Sequence, residues 1–181
     1  MKAGIALGSN LGDRAAHLAA AKRFLSSLHA GPCAPLCSVL HETEPVDCSP
    51  GTAAFLNAVV EIESPLEPLA LLARLREFET QQGRALDRGR NAPRPLDLDL
   101  LYVGNTRMDT PALVLPHPRM TARRFVLQPL AEACIVSPAS GFDLLTAVAA
   151  SADASNVDII LIDAEDFKVE RVQRDAIVEV G

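Results

Sequence analysis

Asp97 and Asp99 stand two apart in RPLDLDLL, the run from Arg94 to Leu101. A carboxylate in so leucine-rich a segment costs several kcal/mol to bury unless something compensates it. Side chains two apart in a strand leave the same face, so the spacing predicts that the two aspartates converge while Leu96, Leu98 and Leu100 turn into the core. Carboxylates held that close repel, and one keeps its proton unless cations neutralise both. A hard divalent ion such as Mg²⁺ is the natural partner, because it takes oxygen ligands and completes its shell with water or phosphate oxygens. D-x-D spacing by itself favours a plainer arrangement, a solvated strand edge on which the pair is matched by Arg94 and Arg90.

The neighbourhood shifts that balance. Arg84, Arg88, Arg90 and Arg94 lie in or beside the polar stretch RALDRGRNAP just before the pair, and guanidinium forks suit phosphate oxygens. No G-x-x-x-x-G-K-[ST] run occurs, and GSNLGD lacks the lysine of a phosphate loop. A nucleotide here would be held by metal and arginine instead of a glycine-rich cradle.

Length and composition bound the options. The 181 residues suffice for one well-buried core with appendages. With 49% hydrophobic and 22% charged residues, the chain reads as packed and globular. A formal net charge of −6 argues against a nucleic-acid partner but admits one small phosphorylated ligand. Cys33, Cys37, Cys48 and Cys134 have no C-x-x-C spacing, and no amino-terminal stretch resembles a signal peptide. No run approaches the roughly 18 apolar residues of a membrane helix. The expectation is a cytoplasmic protein with free thiols and no membrane contact.

The elements that must position these residues can be read in order. KAGIALGSN predicts a strand, Ala3 to Gly8, closed by a Gly-Ser-Asn turn. Leu18, Ala21, Leu25 and Leu28 follow at helical spacing, with Asp13 as N-cap and Gly31-Pro32 as the stop. CSVLHETEPV is a shorter strand running into DCSPGTAA, a loop suited to a lid. FLNAVVEIES places Leu56, Ala58, Val60 and Ile62 on one face and Asn57, Val59, Glu61 and Glu63 on the other, which predicts one wet face. Ser64, Pro65 and Glu67 predict a capping-box start for a helix that buries Leu71, Leu72, Leu75 and Phe78 and ends near Gly83. The aspartate strand then runs to Val103.

Strand, helix, strand, strand, helix, strand is the order of a ferredoxin-like α+β sandwich, an antiparallel sheet with a βαββαβ core and two helices on one face. Residues 111–135 add a proline-punctuated segment and a short helix. Past Ser137, FDLLTAVAASAD predicts a C-terminal helix, while VDIILID and FKVERV predict extra edge strands that pair with each other or with another subunit. No internal repeat occurs, and one domain over 1–181 is expected.

ALGSNLGD, FLNAVVEIES, QQGR, RPLDLDLLYVG and LPHPRMTARRFVLQPLAE, in that order over residues 3–135, resemble the 6-hydroxymethyl-7,8-dihydropterin pyrophosphokinase family. The resemblance implies transfer of an intact diphosphate from ATP to the pterin hydroxymethyl group in folate biosynthesis, with release of AMP. It implies Arg84, Arg94, Asp97 and Asp99 as catalytic residues, with two Mg²⁺ ions on Asp97 and Asp99. It also implies ATP contacts from Glu79, Arg84, Arg94, Leu100, His117 and Arg123. Pterin contacts fall to Thr43, Val46, Phe55, Asn57, Asp97 and Phe125, since a flat polar bicycle wants an aromatic sandwich and edge hydrogen bonds. Read alone, Phe55 and Phe125 are core residues, Asn57 a polar strand residue and His117 a loop histidine; only the joint motifs give them roles.

The chain departs from the family pattern in places. Asn91 replaces a frequent tryptophan, Phe55 a frequent tyrosine, Pro118 an aromatic residue, and Leu86 and Ala112 further arginines. Residues 136–181 lie outside the resemblance; a monomer is expected, with dimerisation through this extension as the alternative. Two competing readings are a non-catalytic pterin or nucleotide-binding module of the same fold and a two-metal phosphodiesterase. The acidic balance disfavours the latter's polyanionic substrates.

Overall fold

The computed structural model describes residues 1–45, 51–84 and 93–135, together with strands at 157–162 and 169–171. The DCSPGTAA loop lies partly, and the predicted C-terminal helix wholly, outside them. Strand β1 (Lys2–Ser9) leads into helix α1 (Arg14–Leu28). Asp13 caps α1 as expected, its Oδ1 accepting from Ala16 N at 3.0 Å. The expected second strand is split into β2 (Leu36–Cys37) and β3 (Leu40–Thr43), and β4 (Phe55–Glu63) follows.

Helix α2 (Pro68–Gln81) begins later than the capping box predicts. Glu67 occupies the cap without a side-chain bond, and Pro68 opens the helix, having no N–H to satisfy and a φ already suited to it. Ser64 Oγ instead accepts from Leu66 N, before the helix starts. Then come β5 (Asp97–Val103), a small hairpin of β6 (Met108–Asp109) and β7 (Val114–Leu115), a 3₁₀ turn at Met120–Ala122 and α3 (Arg124–Ile135).

The main sheet runs β5-β1-β4-β3-β8-β9, with β2 also on β4. Every pairing among the described strands is antiparallel, and the first four strands have the ferredoxin-like order. The C-terminal pieces do extend an edge: β8 (Val157–Ile162) pairs with β3, and β9 (Val169–Arg171) pairs with β8. On one face α1 and α2 cover Ile5, Leu7, Leu56, Ile62, Leu98 and Leu100. The Phe24 and Phe78 rings, stacked with centroids 4.1 Å apart, join the two helices.

The other face of β4 is not wet. Asn57, Val59 and Glu61 are all buried, because α3 lays Val126, Leu127 and Leu130 over Val59, Leu101 and Tyr102. A register shift makes this second core possible. Ile5 faces Leu100 and Gly4 faces Tyr102, so Leu101 has no opposite residue, and Leu101 and Tyr102 both join the α3-side cluster. Gly4 is required there, since a Cβ would fall inside the Tyr102 ring. The Tyr102 hydroxyl donates to the buried Glu61, whose other oxygen meets Lys2 Nζ at 3.1 Å.

Candidate active site

One register row carries the site. Asp97 on β5 faces Gly8 on β1, Gly8 faces Asn57 on β4, and Asn57 faces His41 on β3. Gly8 lets the side chains on both flanks approach, because a Cβ there would lie 3.2 Å from Asn57 Oδ1 and 3.9 Å from Asp97 Cβ. Asp99 faces Ala6 on the same side of the sheet. The two aspartates share a face as their spacing predicts, and it is the α3 face.

Arginines approach Asp97 from both sides. Arg84 Nη1 donates to Asp97 Oδ1 at 2.7 Å, and Arg94 Nη1 lies 3.1 Å from the same oxygen. The Arg94 pairing of the plainer reading therefore forms, whereas Arg90 lies outside the described residues. Helix α2 sets Arg84 in place: Gly83, at φ 88, turns the chain so that Gly83 N donates to Thr80 O and Arg84 N to Glu79 O. This is a Schellman motif, and it folds Arg84 back over the helix end. The Arg84 guanidinium also binds the Glu79 carboxylate, which accepts from Leu98 N at 2.7 Å.

Glu79 therefore ties three parts together, namely the end of α2, Arg84 and the start of β5. It is only 4% exposed, and burial pushes its carboxyl up to about 7 against the pull of Leu98 N–H and Arg84. Arg94 is set by a residue to which sequence reasoning gave no role. Asn10 Oδ1 accepts from Arg94 N at 2.9 Å, and Asn10 N donates to Arg94 O at 3.3 Å. The only signal was the GSN turn itself.

Asp99 has weaker compensation. Arg123 Nη1 lies 3.6 Å from its Oδ2, and burial, reinforced by Asp97, raises its carboxyl above the usual range. His117 is brought in by the shifted register, its N donating to the carbonyl of unpaired Leu101 at 2.8 Å. Burial holds its imidazole below the ordinary value, and Nδ1 accepts from Arg119 N at 3.2 Å. With Nδ1 as an acceptor, a neutral ring carries its proton on Nε2. Arg123 reaches from Asp99 to the Phe125 ring, 5.5 Å from the centroid.

At the other end of the row, Asn57 Nδ2 donates to Thr43 Oγ1 at 2.7 Å in a buried pair. Half-buried Phe55 stands beside Gly8 and Asn57, and Phe125 lies in the first turn of α3. Val46, Leu86 and Asn91 lie outside the described residues. Leu100 packs its side chain between sheet and helices. Only its main chain, on edge strand β5, remains for a ligand. The donor set fits Mg²⁺: two carboxylates on one face, one of them short of positive charge, offer only hard oxygen ligands.

A ferredoxin-like sheet that presents paired carboxylates among arginines suits a phosphoryl- or diphosphoryl-transferring enzyme, in which positioning and charge do the chemical work. Residues 4–135 match the family model described as 7,8-dihydro-6-hydroxymethylpterin-pyrophosphokinase, and the chain belongs to that family. The Bacillus subtilis 2-amino-4-hydroxy-6-hydroxymethyldihydropteridine pyrophosphokinase is 43% identical over 130 residues, which cover 72% of this chain and 76% of the relative. The Pseudomonas aeruginosa enzyme of the same name is 39% identical over 130 residues, or 71% and 77% of the two chains. An Arabidopsis thaliana mitochondrial folate synthesis bifunctional protein is 41% identical, but this chain matches only 22% of it. A wild-type Plasmodium falciparum HPPK-DHPS crystal structure aligns over 94% of this chain with TM-score 0.65 and 13% identity, which supports the fold. This chain spans 49% of that bifunctional one. The family reaction is diphosphoryl transfer in folate biosynthesis.

Proposed function

We propose that Asp97 and Asp99, with Arg84, Arg94, Arg123 and His117 around them, carry the family's diphosphoryl transfer in this chain. The supporting observation is the aspartate pair on one face of β5, with Arg84 and Arg94 on the first carboxylate and Arg123 beside the second. Two Mg²⁺ ions held by these carboxylates would neutralise the triphosphate and polarise the phosphorus under attack. Arg84 and Arg94, which neutralise Asp97, stand where they would meet phosphates brought to this carboxylate by the metal ions. His117, donating through Nε2–H, and Arg123 bind ATP oxygens, while the Leu100 main chain meets ATP at the sheet edge. Glu79 acts through Arg84 and Leu98 and is a positioning residue.

The pterin lies across Gly8, stacked by Phe55 and Phe125. Its ring edge is read by Thr43, Asn57 and the main chain of Val46. Asp97 is close enough to the same row to orient the hydroxymethyl group. The hydroxyl oxygen bonds to the β-phosphorus in line and gives up its proton to water, the bond from the β-phosphorus to the oxygen it shares with the α-phosphorus breaks, and AMP leaves with that oxygen. Residues 1–181 act as one cytoplasmic, monomeric unit. The test is a product assay: AMP and pterin diphosphate should form in equal amounts only with pterin, ATP and Mg²⁺ together. ADP or free phosphate as product would overturn the reading, as would activity that survives chelation.

A further inference from the structure

Arg14 opens α1 directly after the Asp13 cap, yet its guanidinium reaches away from the helix. Nη1 donates to the Ala54 carbonyl at 2.7 Å, and Nη2 meets Glu42 Oε1 at 2.8 Å. The arginine side chain is 30% exposed and the glutamate 19%, so the pair is largely withdrawn from water, where charge-assisted bonds hold geometry well. Ala54 immediately precedes Phe55, and Glu42 immediately precedes Thr43.

The register gives these contacts their meaning. Glu42 faces Leu56 and Thr43 faces Phe55. Leu56 belongs to the helix-side core, so Arg14 grips the end of β3 and the entry to β4 from behind the sheet. Thr43, Phe55 and Asn57 look out from the opposite face. One planar fork thus joins, on the helix side, the two chain segments that present them, beside the β3–β4 pairing and the 2.7 Å bond between Asn57 and Thr43. Lysine cannot reproduce the fork, having a single ammonium where arginine sets two donors in a plane.

We propose that Arg14 is a positioning residue for the pterin, holding the ring-edge pair Thr43–Asn57 and the stacking residue Phe55 in register from behind the sheet. The inference rests on the assignment of the pterin to Thr43, Phe55 and Asn57. Its mark is selectivity: displacement of this end of the sheet weakens the pterin and spares ATP, whose side chains stand on β5, α2 and the His117 segment.

The test uses the full chain, with the fluorescence of oxidised 6-hydroxymethylpterin as the binding probe, read with Mg²⁺ and a non-hydrolysable ATP analogue. Arg14→Ala should raise the pterin Kd about tenfold, the scale set by small misplacements near a site, and leave the KM for ATP within about twofold. Arg14→Lys and Glu42→Gln should fall between variant and parent, and they read the same difference if Arg14→Ala does not fold. Pterin affinity unchanged in folded Arg14 variants, while Asn57→Ala weakens it, overturns the positioning role alone. If Asn57→Ala also leaves the affinity unchanged, the pterin assignment fails with it. Equal losses for pterin and ATP would mean a general loss of structure and would likewise overturn the proposal.

Discussion

Asp97 shares one oxygen between two arginines, whereas among the described residues the ion pair of Asp99 is with Arg123 at 3.6 Å, and burial raises its carboxyl. A metal that must bind the charged form therefore competes with a proton at Asp99, and Mg²⁺ affinity should fall as the solution is acidified. Glu79 makes a sharper prediction. Its folded value, raised from 4.5 to about 7, favours the protonated acid in the native state. That contribution is complete below the unfolded value and is lost as pH rises through the window between the two, about 3 kcal/mol in all. Glu79→Gln keeps an acceptor for Leu98 N–H without the titration. Urea unfolding of both proteins across that window should show their stabilities diverging by about this amount, and parallel curves would contradict the assignment. The aspartate pair was legible in sequence because strand period alone puts Asp97 and Asp99 on one face. Asn10 and Arg14 were not, because their partners lie 84 and 40 residues away and depend on strand register. At Leu100 the motif position left open whether side chain or main chain would make the contact, and the structure buries the side chain.

The C-terminus of α2 shows how a local rule reaches the site. Gly83 at φ 88 has nothing near its missing Cβ, so Gly83→Ala meets only backbone strain, about 1–2 kcal/mol. The strain falls where Arg84 is turned toward Glu79 and Asp97. The variant should lose that much stability in urea unfolding and, in addition, turn over more slowly; a loss of stability with full activity would separate Arg84 from the cap geometry. Gly83 was readable as a helix end, but its hold on Arg84 appears only once the Schellman bonds are seen. The alternation of β4 was also read correctly residue by residue, yet its second face was assigned to water. Asn57 and Glu61 suggested solvent, whereas α3 covers that face, and the neighbouring strands supply Glu61 with Tyr102 from β5 and Lys2 from β1. A polar residue on a strand signals either solvent or a buried partner, and the partners here come from elements far along the chain.

Across the whole molecule, element order was enough to anticipate the antiparallel ferredoxin-like sheet, because short connections and right-handed crossovers leave few alternatives. The edge that the C-terminal strands would join was not readable, since VDIILID has a strand's composition but no register. In the structure β8 lies on β3, the strand that carries Thr43, and the sheet continues beyond the family core, whose match ends at residue 135. A chain of net charge −6 nonetheless collects Arg84, Arg94 and Arg123 around one acidic pair, which suits a metal-bound polyphosphate better than either partner alone. Calorimetric titration with a non-hydrolysable ATP analogue tests this most directly. Binding should be strong with Mg²⁺, and it should weaken at least about a hundredfold on chelation or in Asp97→Ala and Asp99→Ala, on the scale of losing metal-site groups. Affinity that is the same with and without the ion, in parent and variants alike, would contradict the account.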